Sequence, residues 1–381
     1  LPEKRERARI LERKPPPAAP GNNGQENRRY QPMILSNSED SSKPYPLAED
    51  AIGQPATAIP LIQPPEILHL QVTERCNFAC PKCYLPELNS TSPKSELTPQ
   101  EIQDKVFFPA AEIGVRKVVI TGGEPFLYRR LFDVLESARE YFSEVFVGTS
   151  GFFLDQPNID RVLETEVDFL QVSLDALSNE LLEKLTGCST VRRLWPNLEN
   201  LVSERNRRGA RTRVVVATII ERDNIHEIPA ILDRCRAIGV DSITLQAYHE
   251  YDTIYRAERA EWPACPDYDE TFLQRLSDLI EQVIDAKRNG SQLFPHAEEY
   301  FRNLYTFFAD RPSLRVRCRA DDFLFVDSRG FIRGCLFSEP LGHIDQGLSA
   351  YLTSSQYHRF VDFKQDCHLC THGCAYRPPM D

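Results

Sequence analysis

The chain has 381 residues, enough for two domains or for one large α/β domain with an extension. Hydrophobic residues make up 41% and charged residues 27%, ordinary globular usage that excludes a wholly disordered, collagen-like or membrane-embedded chain. A formal charge of -11 excludes a general polyanion binder, so no nucleic acid partner is expected, and 11 cysteines are an odd number that disulfide pairing alone cannot use up.

Residues 1–60 mix Pro, Asn, Ser and charge without apolar periodicity, which predicts a disordered arm. The opening lacks the apolar stretch of roughly 7 to 15 residues that an export signal carries, and no run of about 18 apolar residues suits a membrane span. The expected compartment is therefore the reducing cytoplasm, where clustered cysteines more often mean metal than disulfide. Leu1 in place of Met points to a fragment or an unusual start.

Beyond Glu66, short β-branched runs alternate with amphipathic stretches, the signature of βαβ units around a parallel sheet. Strands are predicted at 67–72, 117–122, 144–149, 167–174, 212–220 and 241–248, with helices opening near Thr98, Tyr128, Gln156, Asn179 and Asn224. At Thr98-Pro99-Gln100-Glu101 an N-cap Thr precedes Pro at the first helical position and Glu at the third. Six strand-helix units, not eight, predict an α/β fold built on a partial (β/α)6 barrel of TIM type. A further helix at 270–289 lines up Phe272, Leu276, Leu279, Val283 and Ile284 as a core stripe. From Cys318 the pattern changes to a predicted hairpin, FLFVDSRGFIRG, turning at Asp327-Ser328-Arg329-Gly330. The domain expectation is thus 1–60 arm, 61–312 barrel core and 313–381 small Cys-rich module.

Directly after the first strand come Cys76, Cys80 and Cys83, with Pro81 preventing a regular helix between them. Three thiolates leave one position of an inorganic centre open, whereas a closed structural site wants four. The alternative is a zinc loop completed by a His such as His69.

The C-x3-C-x2-C pattern after a first barrel strand resembles that of the radical S-adenosylmethionine (radical SAM) superfamily. The resemblance implies that Cys76, Cys80 and Cys83 hold a 4Fe-4S cluster whose fourth iron is chelated by S-adenosylmethionine. One electron from that cluster then breaks a sulfonium C–S bond and releases a 5'-deoxyadenosyl radical, which takes a hydrogen atom from a substrate C–H bond. Here Lys82 precedes the third Cys, where the family usually has an aromatic residue that helps seat the adenine; Tyr84 or Phe78 is the candidate replacement.

Further along, Gly122-Gly123-Glu124-Pro125 resembles the family's motif for the methionine ammonium, its glycines letting backbone carbonyls approach a cation. Ser150, in Gly148-Thr149-Ser150-Gly151, stands where the family commonly has a Thr-Asn-Gly turn. Ser173 and Asp175 resemble its Ser-x-Asp segment for the ribose hydroxyls, or else form a strand end and helix cap. Asn224 either supports the adenosine end or caps the next helix. The similarity spans roughly residues 66–250.

Cys318, Gly330 and Cys335, followed by Cys367, Cys370 and Cys374, resemble the C-terminal twitch or SPASM extension of such enzymes. Five thiols cannot fill two four-thiolate clusters, so one auxiliary 4Fe-4S cluster is expected, on Cys318, Cys335, Cys367 and Cys370, with Cys374 spare or replacing Cys370. Zinc is the alternative, since His368 and His372 lie among these thiols. Cys235 reads as a core filler and Cys188 as a loop or helix-end residue. Cys265 is the candidate catalytic thiol, donating a hydrogen atom to a substrate radical; the alternative is an inert thiol. The residues 248–256 after the last barrel strand are either a substrate contact or a surface connector. The expected partners are a one-electron donor such as a flavodoxin or ferredoxin and a substrate. That substrate is a peptide or protein undergoing maturation, or a small molecule such as an amino sugar, nucleoside or lipid precursor undergoing dehydrogenation, epimerisation or skeletal change.

Overall fold

The computed structural model describes residues 64–83, 96–249 apart from 190, and 268–365 apart from 315, 317, 320, 321, 337 and 339. The chain divides into two units, Leu1–Ala58 and Ile59–Asp381, and every described residue belongs to the second. The predicted arm, Tyr84, residues 250–256, Cys265, Cys367, His368, Cys370, His372 and Cys374 lie outside the described residues.

The six predicted strands form within two residues of their expected bounds: β1 Ile67–Gln71, β2 Lys117–Thr121, β3 Glu144–Thr149, β4 Phe169–Ser173, β5 Arg213–Ile220 and β6 Ser242–Ala247. Each pairs in parallel with its predecessor. β7 (Phe323–Val326) adds to the other side of β1, also in parallel, and carries β8 (Phe331–Arg333) and β9 (Pro340–His343) antiparallel beyond it. The order β6-β5-β4-β3-β2-β1-β7-β8-β9 is therefore a single sheet among the described residues. The predicted hairpin extends the barrel's own sheet at β1.

The first crossover is α1 (Pro99–Ile102), which runs through a π-helical turn into α2 (Phe108–Glu112), and its predicted start is correct: Thr98 and Glu101 form a capping box. Next come α3 (Leu131–Tyr141), α4 (Gln156–Glu164), α5 (Asn179–Thr186), α6 (Leu194–Arg208) and α7 (Ile228–Ile238). The helices expected near Tyr128 and Asn224 begin three and four residues later, after turns. α8 (Glu270–Arg288) buries the predicted stripe, and α9 (Glu298–Ala309), α10 (Leu348–Leu352) and α11 (Ser355–Gln365) follow.

Alternation along the strands sorts the sheet into two faces. Leu68, Leu70, Val118, Ile120, Val145, Val147, Leu170, Val172, Val214 and Val216 are fully or almost fully buried in the main hydrophobic core. Each contributes about 1.5 to 3 kcal/mol of transfer free energy. Apart from buried Ile67, the opposite face of β1 to β4 is only half-buried, ending in exposed Ser173. Its residues fall into register levels. Phe325, His69, Val119, Phe146 and Phe169 make an aromatic-rich floor, with Phe146 stacked on Phe169 at 5.5 Å. Nearer the strands' C-terminal ends, Gln71 pairs with Thr121, and Gly148 pairs with Gln171; above them Ser173 pairs with Ala217, and Ala217 with Thr244.

Candidate functional site

The loop after β1 is clamped by backbone contacts from two neighbours. Gly123 N–H donates to the Thr73 carbonyl at 2.7 Å and Glu124 N–H to that of Arg75 at 2.8 Å, while Ala79 N–H donates to Thr186, at the end of α5, at 2.8 Å. Gly122 is needed there: a Cβ on it would lie 2.5 Å from the Thr73 carbonyl oxygen. Gly187, at φ +64, caps α5, and its own Cβ would meet the Ala79 carbonyl at 2.7 Å. The glycines of the Gly-Gly-Glu-Pro turn thus admit the backbone of the cysteine loop, a close approach that the sequence alone did not show.

Within the loop, Cys76, Cys80 and Cys83 are half-buried. Burial pushes the Cys76 thiol up to about 11 and the Cys80 thiol up to about 12. Cys76 Sγ accepts from Phe78 N–H at 3.4 Å, and Cys83 N–H closes a turn onto the Cys80 carbonyl at 3.0 Å. Asn77 sits between the first two ligand candidates, with both side-chain amide atoms buried and unpartnered among the described residues. No three His, Cys, Asp or Glu side chains among the described residues converge as a single-ion site. His69, which a zinc reading would use, lies in β1 with its ring 5.3 Å from Phe325.

Glu124 is fully buried and accepts four hydrogen bonds: from Thr149 Oγ1 at 2.7 Å, Ser150 N–H at 2.9 Å, Ser150 Oγ at 2.5 Å and Phe126 N–H at 3.2 Å. Burial raises its pKa, against the lowering effect of the Ser150 and Thr149 hydrogen bonds. Ser150 is thereby placed against Glu124, bracing the end of β3 to the turn after β2, with Pro125 buried behind it.

At the ends of β4 and β5, Asp175 Oδ1 accepts from Ile219 N–H at 2.7 Å, and Oδ2 accepts from Lys82 Nζ at 2.7 Å. Lys82 Nζ also donates to Glu221 Oε1 at 2.9 Å. Burial lowers the Lys82 pKa, but Asp175 and Glu221 outweigh it, and the net shift is upward. Of the two readings of Asn224 the structure overturns the helix cap: the residue is wholly buried, and its amide donates to the Asp175 and Ile219 carbonyls and accepts from Glu221 N–H. Glu227 takes the N-cap position of α7 without a side-chain cap bond. Phe78, one candidate replacement for the missing aromatic residue, is buried edge-on against Phe152 at 5.8 Å. Sequence reasoning missed Thr149 and Glu221; a hydroxyl and a carboxylate at the strand ends beside predicted site residues were the available signals.

In the C-terminal part the structure places Cys318 and Cys335, both half-buried, with Cys335 N–H donating to Ser338 Oγ at 3.2 Å and Gly330 turning the hairpin at φ +91. The hairpin turn reaches the rim of the cysteine loop, where Arg329 pairs with Glu74 at 3.4 Å and Leu97 N–H donates to the Ser328 carbonyl. Cys188 is half-buried, and Cys235 is buried in the core as expected. Outside the rim, Arg75, Glu96, Thr98, Tyr128, Arg129 and Arg130 line a cleft of about 440 Å³. No described helix is long and apolar enough to cross a membrane.

The residues present fit a sulfur-ligated cofactor: three thiols on one short loop, orphaned buried amide atoms at Asn77 beside them and a rim carboxylate at Asp175. The family model of the Radical SAM superfamily matches residues 70–235. The "Probable GTP 3',8-cyclase" of Methanopyrus kandleri is 29% identical over 300 residues, covering 76% of this chain and 85% of that protein. The "PqqA peptide cyclase" of Granulibacter bethesdensis is 28% identical over 178 residues, 47% of this chain and 46% of that protein. In fold, the chain is similar to Streptococcus suis SuiB, solved bound to precursor peptide SuiA, with a TM-score of 0.59 and 16% identity over 79% of this chain and 67% of that one. Over residues 70–235 the chain is similar to the radical SAM superfamily, enzymes whose cofactors are a 4Fe-4S cluster and S-adenosylmethionine.

Proposed function

We propose that Cys76, Cys80 and Cys83 ligate the 4Fe-4S cluster and that the ends of β2 to β5 hold S-adenosylmethionine, with Gly122, Gly123, Glu124 and Pro125 at its methionine end, Ser150 beside Glu124, and Ser173 and Asp175 towards the ribose. The carrying observation is the clamping of the Cys76–Cys83 loop onto Gly123 and Glu124, which puts both motifs at one rim. When bound, the cofactor pair supplies a 5'-deoxyadenosyl radical that abstracts a substrate hydrogen atom. A one-electron donor such as a flavodoxin or ferredoxin completes the system. Cys318, Cys335, Cys367 and Cys370 are proposed to hold one auxiliary 4Fe-4S cluster, with Cys374 as the alternative to Cys370 and Cys265 as a hydrogen-atom donor.

The finer reading is modification of a peptide. Thr121 Oγ1 is buried without a partner among the described residues, level with Gln71 and followed across the sheet by Gly148 and Gln171. These neutral amides and hydroxyls match the alternating donors and acceptors of a peptide backbone. The names of the Granulibacter relative and the SuiB complex support the same class. The second reading is carbon-skeleton chemistry on a nucleoside triphosphate. The long match to the Methanopyrus protein favours it, but the polar level described here offers no guanidinium or ammonium group to a triphosphate. Anaerobic reconstitution with iron counting tests the cluster assignment. The expected result is about eight irons per chain, falling to about four in Cys370→Ala. A wild-type value of about four would remove the auxiliary cluster, and an unaltered count in Cys80→Ala would remove the first.

A further inference from the structure

Lys82 stands inside the cysteine loop, between Cys80 and Cys83, yet its side chain belongs to a different part of the molecule. Its ammonium bridges Asp175, two residues beyond β4, and Glu221, one residue beyond β5, and its side chain is only 11% exposed. Around it the strand ends are already tied together. Ile219 N–H fixes Asp175 Oδ1, and Asn224 bonds the carbonyls of Asp175 and Ile219 as well as the Glu221 N–H. Lys82 is the link from this node to the turn that Cys83 N–H closes onto Cys80.

Charge arithmetic makes the link more than packing. Asn224 holds the chain around Asp175 close to that around Glu221, so the two carboxylates share a buried neighbourhood in which like charges repel. One ammonium between them removes that conflict and fixes the direction of the Asp175 carboxylate. Each of its oxygens is bonded once, and a carboxylate oxygen has two acceptor sites, so capacity remains for a ribose diol.

We infer that Lys82 is a positioning residue for S-adenosylmethionine, joining the cysteine loop to the β4 and β5 ends and aiming Asp175 at the ribose hydroxyls. The inference rests on the proposed reading that the loop holds the cluster and that Asp175 faces the ribose. It gives the Lys in place of an aromatic residue a role in the same site by another route: charge orientation instead of a ring face.

The test is equilibrium binding of S-adenosylmethionine to reconstituted, unreduced enzyme, so that no turnover occurs. A parallel titration uses an analogue lacking both ribose hydroxyls. Lys82→Met should weaken S-adenosylmethionine binding about tenfold or more, the scale of a lost charge-assisted hydrogen bond. Iron content should match wild type, and the analogue should bind wild type and variant alike. Lys82→Arg, which keeps a cation able to reach both carboxylates, should restore binding. Should Lys82→Met not fold, Lys82→Gln, a neutral polar side chain that removes the ammonium, should show the same selective loss. Equal weakening of both ligands, unchanged affinity for S-adenosylmethionine, or loss of iron in the variant would each overturn the inference. Wild-type enzyme that takes up iron but no S-adenosylmethionine would instead overturn the parent reading, and this one with it.

Discussion

Buried polar side chains divide into those with a complete set of partners and those without. Glu124 has its four hydrogen bonds, and the Asn224 amide bonds through both its nitrogen and its oxygen, so these groups brace the rim. His296 is different: it is 3% exposed, its ring tilted against that of Tyr300 at 4.2 Å, and neither ring nitrogen has a hydrogen-bond partner among the described residues. Burial, helped by Lys287, pulls its pKa down from 6.5 to about 4. The unfolded chain therefore takes up a proton between pH 6.5 and about 4 that the folded chain refuses, and stability falls as pH drops through that window. The loss approaches about 3 kcal/mol below the folded value. His296→Phe should flatten that limb in urea unfolding curves, and an unchanged slope would contradict the assignment. Residue chemistry of this kind was only partly legible in the sequence. Cys76, Cys80, Cys83, Glu124 and Asp175 announce themselves by spacing and motif. The partners of Lys82 lie 93 and 139 residues away, a pairing that only the fold creates.

Elements were easier to read than their ends. β-branched runs fixed all six parallel strands, because a strand buried under helices needs a continuous apolar side and little else. The capping box at Thr98 and the stripe of α8 also appear as the sequence predicts. α3 and α7 start late because turns intervene, and Asn224, a residue type that suits a cap, is drawn into tying two strand ends instead. The contact between the two motif loops is the element-scale feature on which the site depends. Gly122→Ala must push the β2 turn off the Thr73 carbonyl, and overpacking of this kind costs about 1 to 3 kcal/mol. Gly239→Ala meets nothing within 4 Å and carries only the strain of φ +86, about 1 to 2 kcal/mol. Thermal melts should rank the two in that order, and iron uptake should fall in Gly122→Ala alone. Equal iron uptake in both would show that the close approach does not shape the cysteine loop.

At the scale of the whole molecule, one sheet carries both cysteine-bearing regions: β1 leads into the first, and β7, its parallel neighbour, leads into the hairpin between Cys318 and Cys335. The sequence pattern suggested a change of module at that point, and hydrophobic periodicity has no means of showing that a later strand returns to pair with the first. The same sheet offers an aromatic-rich floor and a neutral polar level beneath the rim. This rim is proposed to generate a radical from S-adenosylmethionine. Reconstituted enzyme should be mixed anaerobically with S-adenosylmethionine and a strong one-electron reductant, and the products separated by liquid chromatography. The wild type should yield 5'-deoxyadenosine and methionine and Cys80→Ala neither; methionine without 5'-deoxyadenosine from the wild type would show that the rim does not run radical chemistry.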